Sequence, residues 1–157
     1  MNLQLWTLGK ENGQLLDPVL NEYITRIKRY TSFDMVQIDN SRWTKSLPRV
    51  ALLQKESEII LGKLNSKDWL ILLDERGKTL RSLELADHMN QWMNRSPARI
   101  IFLIGGSFGV SEEMKSRADF ILSLSALTFP HQMVRLLIAE QVYRAFSILK
   151  NEKYHHE

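Results

Sequence analysis

The chain contains no cysteine. That excludes disulfides, thiolate nucleophiles and thiolate metal sites. No uninterrupted apolar stretch reaches the roughly 18 residues that a membrane helix needs. The start, MNLQLWTLGKENG, has no basic segment followed by the apolar core of a secretory leader. These absences point to a soluble cytoplasmic protein with no membrane partner. Neither sign of charge dominates: 21 Lys and Arg stand against 18 Asp and Glu, a net +3. That balance permits an anionic partner such as RNA without requiring one. Internal repeats, low-complexity stretches and linkers are also missing. What remains is 157 residues, 44% hydrophobic, expected to form one domain over 1–157 around a single core.

Strand and helix signals alternate along that domain. Leu3, Leu5 and Trp6 open a strand that Gly9-Lys10 ends. Asp17-Pro18 suits a helix start, and Val19, Tyr23, Ile27 and Tyr30 follow at helical spacing. FDMVQI (33–38) reads as a second strand. The polar connection 39–49 carries Arg42, Lys45 and Arg49, and a helix follows over about 50–64. WLILLDE (69–75) and RIIFLIGG (99–106) are continuous apolar runs, the pattern of parallel strands covered on both faces. Ser82 is expected to cap one helix and Ser111 a shorter one. DFILSLS (119–125) is the last strand, and Pro130 opens a helix to about Lys150. The alternation predicts an α/β fold with a mainly parallel sheet and flanking helices.

In such sheets ligands bind beyond the carboxyl ends of the strands. Three of those ends carry marked residues: Leu73 to Lys78, Ile104 to Gly109, and Leu124 to His131. Side by side, they would line one crevice. The glycine order in IGGSFG is G-G-x-x-G, so the dinucleotide fingerprint is not met; a tight turn is an equal reading. Gly77-Lys78-Thr79 resembles the end of a phosphate loop, but Leu72 stands where the first glycine is required, which rejects a Walker-type NTPase. Lys78 then reads as a surface loop cation or as a contact to an anionic substrate. The adjacent His155 and His156 lack the i, i+4 spacing of a helical zinc site, and no metal is expected. The last helix is apolar nearly all round, leaving Glu140, Arg144 and Ser147 on a narrow polar strip. A helix of that kind is buried, often partly by a second subunit. Glu140 and Arg144 are either a plain i, i+4 ion pair or an arginine aimed into a site and oriented by its glutamate.

LLDERGK, FLIGGSFG, the block LSLSALTFPHQMVRLLIAEQVYRAFSI and the terminal YHH together resemble one family, the small SPOUT-class RNA methyltransferases of the ribosomal large-subunit methyltransferase H type. The early LGK and the EYITRIKRY helix also fit. The resemblance implies a C-terminal trefoil knot, a homodimer, and S-adenosylmethionine bound in the knot. It implies methylation of N3 of a pseudouridine in 23S ribosomal RNA within the assembled ribosome. Matched by motif, the cofactor contacts are Leu73, Gly105, Leu124, Ser125, Ala126, Leu127, Thr128 and Phe129. Arg144, Tyr154 and His155 match residues near methyl transfer. Arg26, Lys28, Arg29, Arg42, Lys45 and Arg49 are candidates for RNA phosphate contact. Two alternatives stay open: methylation of a ribose 2′-oxygen, and a non-catalytic ribosome-binding factor that keeps the pocket.

Overall fold

The computed structural model describes residues 1–9 and 15–156; Lys10 of the early LGK lies outside them. In chain order the elements are β1 (Asn2–Leu8), α1 (Asp17–Ile27), β2 (Ser32–Ile38), α2 (Ser41–Thr44), α3 (Arg49–Lys63), β3 (Trp69–Thr79), α4 (Ser82–Asn94), β4 (Arg99–Ile104), α5 (Glu112–Arg117), β5 (Phe120–Ser123) and α6 (His131–Leu149). The five strands form one sheet in the order β2-β1-β4-β3-β5, and every pairing is parallel. Among the described residues no helix is long and apolar enough to cross a membrane.

The continuous apolar runs follow from cover on both faces. Leu3, Leu5, Ile71, Ile100 and Phe102 point to the face covered by α1, α4 and α6, where Leu20, Met89, Trp92, Ile138 and Val142 meet them. The alternate residues Trp6, Leu70, Leu72, Ile101 and Leu103 face the opposite layer, with Ile60 of α3 and Met114 of α5. Successive side chains of a strand point to opposite faces, so a strand buried twice has no polar position to spare. At the amino end of the sheet, Arg99 holds the buried Asp68 through Nε–Oδ1 at 3.0 Å and Nη2–Oδ2 at 2.5 Å. Burial pushes the Asp68 carboxyl up, but the guanidinium and the Asn65 amide outweigh it and hold the carboxyl below its ordinary range.

Several local expectations are corrected. Ser82 is the first residue of α4, after the cap position at Arg81; its hydroxyl donates to Gln141 Oε1 at 2.9 Å. The Arg81 amide donates to Glu84 Oε2 at 2.7 Å, so the glutamate three residues on closes the helix start. Ser111 does cap α5, accepting from the Met114 amide at 3.2 Å. Strand β3 runs on to Thr79, which puts Lys78 in a strand rather than a loop. The polar connection 39–49 contains the short α2. Ser147 is fully buried, its hydroxyl donating to the Arg144 carbonyl at 2.7 Å.

The extension of β3 is irregular. Leu73 pairs with Leu122 of β5, and Lys78 then pairs with the same residue. Residues 74–77 therefore bulge out of the ladder. Gly77 is where the strand returns: a Cβ there would lie 2.6 Å from the Ile121 carbonyl oxygen. Gly62, in α3, has open space around it. Replacing Gly77 with Ala is expected to destabilise the fold by about 1–3 kcal/mol, as overpacking does. Gly62→Ala is expected to stabilise it by up to ~1 kcal/mol, from helix propensity. Urea unfolding midpoints that moved in the same direction for both would contradict the bulge geometry.

Candidate functional site

Because β4, β3 and β5 are neighbours, their carboxyl ends open onto one cavity of about 460 Å³. The β3 bulge contributes Leu73, Asp74, Glu75 and Arg76; the β4 turn contributes Ile104 through Val110; the β5 loop contributes Leu124, Ser125, Leu127, Thr128 and Phe129. Leu122 of β5, His131 and Val134 of α6 and Arg49 of α3 complete the lining. The volume falls within the range of small-molecule and cofactor sites, roughly 300–1,000 Å³.

Each loop is held in shape by its own chemistry. In the β4 turn, the Gly109 amide donates to the Gly106 carbonyl at 3.0 Å, and Gly109 has φ +79°. A Cβ on Gly105 would sit 2.8 Å from Val110 Cγ1, and one on Gly106 would sit 3.1 Å from Glu56 Oε1. The glycines therefore make the tight turn expected of them, and that turn is a wall of the cavity. Helix α3 braces it from behind. The Ser57 hydroxyl is hydrogen-bonded to that of Ser111, and the Glu56 carboxylate accepts from Asn40 Nδ2 at 2.5 Å while lying against Gly106.

The serine-rich β5 loop uses its hydroxyls on itself. Ser123 Oγ donates to the Ser125 carbonyl at 2.9 Å, and Ser125 Oγ accepts from the Leu127 amide at 3.0 Å. Thr128 Oγ1 donates to Glu75 Oε2 at 2.8 Å, tying the loop to the β3 bulge. Of the residues expected at the cofactor, Leu73, Gly105, Leu124, Ser125, Leu127, Thr128 and Phe129 line the cavity. Ala126 sits exposed in the loop and does not. Sequence reasoning missed Arg49 as a cavity residue, since nothing in the chain pattern brings the start of α3 beside the β4 turn. It also missed Val134, whose apolar character reads as core.

Arg144, Tyr154 and His155 come together elsewhere. Glu140 Oε1 accepts from Arg144 Nε at 3.0 Å, from Arg144 Nη2 at 2.5 Å and from Tyr154 Oη at 3.1 Å. Arg144 Nη1 lies 3.2 Å from His155 Nδ1, and the guanidinium carbon is 4.7 Å from the Tyr154 ring centroid. The hydrogen bond to Glu140 raises the Arg144 pKa, so its charge is permanent. Burial, then hydrogen bonds to Tyr23 and Glu140, push the Tyr154 phenol well up, which keeps it protonated at neutral pH. The tail is fastened to α1 and the turn after it: Tyr30 Oη donates to Glu152 Oε2 at 2.5 Å, and the Tyr23 and Tyr154 hydroxyls are 3.3 Å apart. The glutamate–arginine pair is thus both an i, i+4 ion pair and an oriented cluster.

The same helix carries both halves at different heights. Val134 lines the cavity, and Arg144 lies ten residues further along α6, about 15 Å at helical rise. Arg144, Tyr154 and His155 are not among the residues that line the cavity.

A family model described as "Predicted SPOUT methyltransferase" matches residues 1–155. The chain is 44% identical over 157 residues to the ribosomal RNA large subunit methyltransferase H of Bacteroides thetaiotaomicron, and 41% identical over 157 residues to that of Flavobacterium johnsoniae. Each alignment covers 100% of both proteins. Among solved structures it is similar to a probable methylase family protein from Haemophilus influenzae Rd KW20, with a TM-score of 0.52 and 14% identity over 97% of this chain and 67% of that one. That likeness speaks to fold alone.

Burial raises the pKa of Glu56, against a lesser lowering by Asn40. A carboxyl whose folded pKa lies above its unfolded value binds more protons when folded, so its ionisation costs stability as pH rises through that window. Glu56→Gln keeps the acceptor for Asn40 and removes the charge. It is expected to be more stable than the parent at pH 7, with the gap closing as pH falls from the raised value of the folded state to the ordinary carboxylate value. Thermal unfolding at a series of pH values tests this; a gap that widened on acidification would contradict it.

Proposed function

The chain belongs to the SPOUT methyltransferase family, and from that premise we propose that it transfers a methyl group from S-adenosylmethionine to N3 of a pseudouridine in 23S ribosomal RNA of the assembled ribosome. The work is done by a homodimer in the cytoplasm, with a trefoil knot formed by the C-terminal part of each chain. The observation that carries this reading is the cavity at the joined ends of β3, β4 and β5, together with a polar cluster about 15 Å away along α6. A second protomer whose Arg144, Tyr154 and His155 face the cavity would complete the site.

The cavity suits the donor. Its volume is adequate, and Gly105, where a Cβ would meet Val110 Cγ1 at 2.8 Å, lets the β4 turn fold tightly along one wall. Leu73, Leu127 and Phe129 offer apolar walls for an adenine ring, and the β5 loop offers backbone to read its edge. When bound, S-adenosylmethionine supplies an electrophilic methyl carbon on sulfonium. The protein's part is then mainly positioning and removal of the N3 proton.

The cluster's geometry orders those tasks. A guanidinium only donates, so His155 Nδ1 accepts from Arg144 and the neutral ring carries its proton on Nε2. His155 Nδ1 would be free to take up a proton once the Arg144 Nη1 donor is engaged by the substrate instead. There the fixed positive charge stabilises the anion that develops as N3 loses its proton, and Nδ1 takes that proton. With the donor held by the β3 bulge, the β4 turn and the β5 loop, the deprotonated N3 would receive the methyl group and the donor would leave as the neutral thioether. Tyr154, kept neutral, stacks on or donates to the target base.

Arg144→Ala and His155→Ala are each expected to lower methylation of ribosomes by roughly a hundredfold or more, with donor affinity nearly intact by calorimetry. Unchanged turnover in both variants would overturn the assignment. Mixing His155→Ala with a cavity-blocked Ser125→Phe chain tests the shared site. Random heterodimers should regain about a quarter of the parental rate; no recovery would place both halves in one chain. Methyl incorporation at ribose instead of base would favour the 2′-oxygen alternative.

A further inference from the structure

We propose that Arg49 is the recognition residue for the α-carboxylate of the methyl donor's amino-acid arm, a role that rests on the donor cavity proposed above. The charges around the cavity are unevenly disposed. The acids stand on the β3–β5 side, in the bulge. Asp74 Oδ1 accepts from the Arg76 amide at 2.9 Å and lies 3.6 Å from Arg76 Nε, and Glu75 accepts from Thr128. Arg76 points largely into solvent, its side chain 79% exposed. On the other side, Arg49 reaches the cavity from the first residue of α3, beside the β4 turn.

Arg49 lies with its guanidinium carbon 5.4 Å from the Phe108 ring centroid. Among the described residues it meets no carboxylate, and Phe108 itself is half exposed. An arginine resting on an aromatic face keeps its donor edge available, and that edge matches a carboxylate bidentately. The donor's amino-acid arm is a zwitterion attached to a cationic sulfur. Its ammonium and sulfonium fit the acidic bulge, and its carboxylate needs a cation on the far side. Arg49 is the lining cation there.

The alternative occupant of that guanidinium is an RNA phosphate at the cavity mouth, and ligand truncation separates the two. Calorimetry on the full-length protein would compare S-adenosylmethionine, S-adenosylhomocysteine, decarboxylated S-adenosylmethionine and 5′-methylthioadenosine, for the parent and for Arg49→Gln. The first two carry the carboxylate and the last two do not. The substitution should weaken S-adenosylmethionine and S-adenosylhomocysteine by about tenfold and leave the other two unchanged, which also serves as the check on folding. Equal weakening of all four would overturn the proposal, since Arg49 would then act by holding Phe108 in place. Unchanged affinity for all four would also overturn it, and a raised KM for ribosomes with a shallower salt dependence would assign Arg49 to phosphate. Failure of the parent to bind any of the four would remove the donor reading itself, and this assignment with it.

Discussion

The double pairing of Leu122, first with Leu73 and then with Lys78, is the constraint on which the cavity depends. A regular parallel ladder would carry Asp74, Glu75 and Arg76 onward in the plane of the sheet. Returning to the same partner after four unpaired residues forces them outward, where they become a wall. The close approach of Gly77 to Ile121 fixes the return, and Thr128 ties the displaced segment to the β5 loop. Irregular backbone and polar side chains thus gather at the carboxyl edge, whereas Arg99 and Asp68 pair at the opposite one.

The cavity and the α6 cluster obey different rules. The cavity is built from loops whose polar groups are largely engaged with one another: serine hydroxyls on their own backbone, glycines against α3. The cluster is built on a helix and a tail, with Glu140 receiving three hydrogen bonds from Arg144 and Tyr154. The first arrangement favours a ligand that is gripped by shape. The second favours a charge that is held in one direction. On the proposed reading, the first would serve the methyl donor and the second the acceptor.

Much of this was legible in the sequence, for identifiable reasons. The runs WLILLDE and RIIFLIGG announced strands covered twice because no polar residue interrupts them, and β3 and β4 do carry fully buried residues on both faces. The gathering of three strand ends was legible because parallel topology leaves their loops on one edge. The bulge was not: the residues LLDERGK state nothing about register, which is decided by β5 more than forty residues later. Arg49 was hidden for a similar reason, since its place depends on how α3 packs against the β4 turn. Ser82 and Ser147 misled because small hydroxyl residues serve caps, polar strips and buried backbone bonds alike. Arg144, Tyr154 and His155 were picked out together by family likeness; residue types alone favoured a plain ion pair for the arginine.

Strand β4 lies between β1 and β3 in the sheet, although it is fourth in the chain. Until it arrives, the edges of β1 and β3 that will receive it stand unpaired, both flanked by side chains such as Leu5, Trp6, Leu70 and Ile71 that are fully buried in the finished molecule. Open edges of that kind template wrong partners, and closing them requires long-range parallel pairing, which is slow. Assembly therefore turns on the insertion of a single six-residue segment, RIIFLI, and the stage just before it is the one most exposed to aggregation.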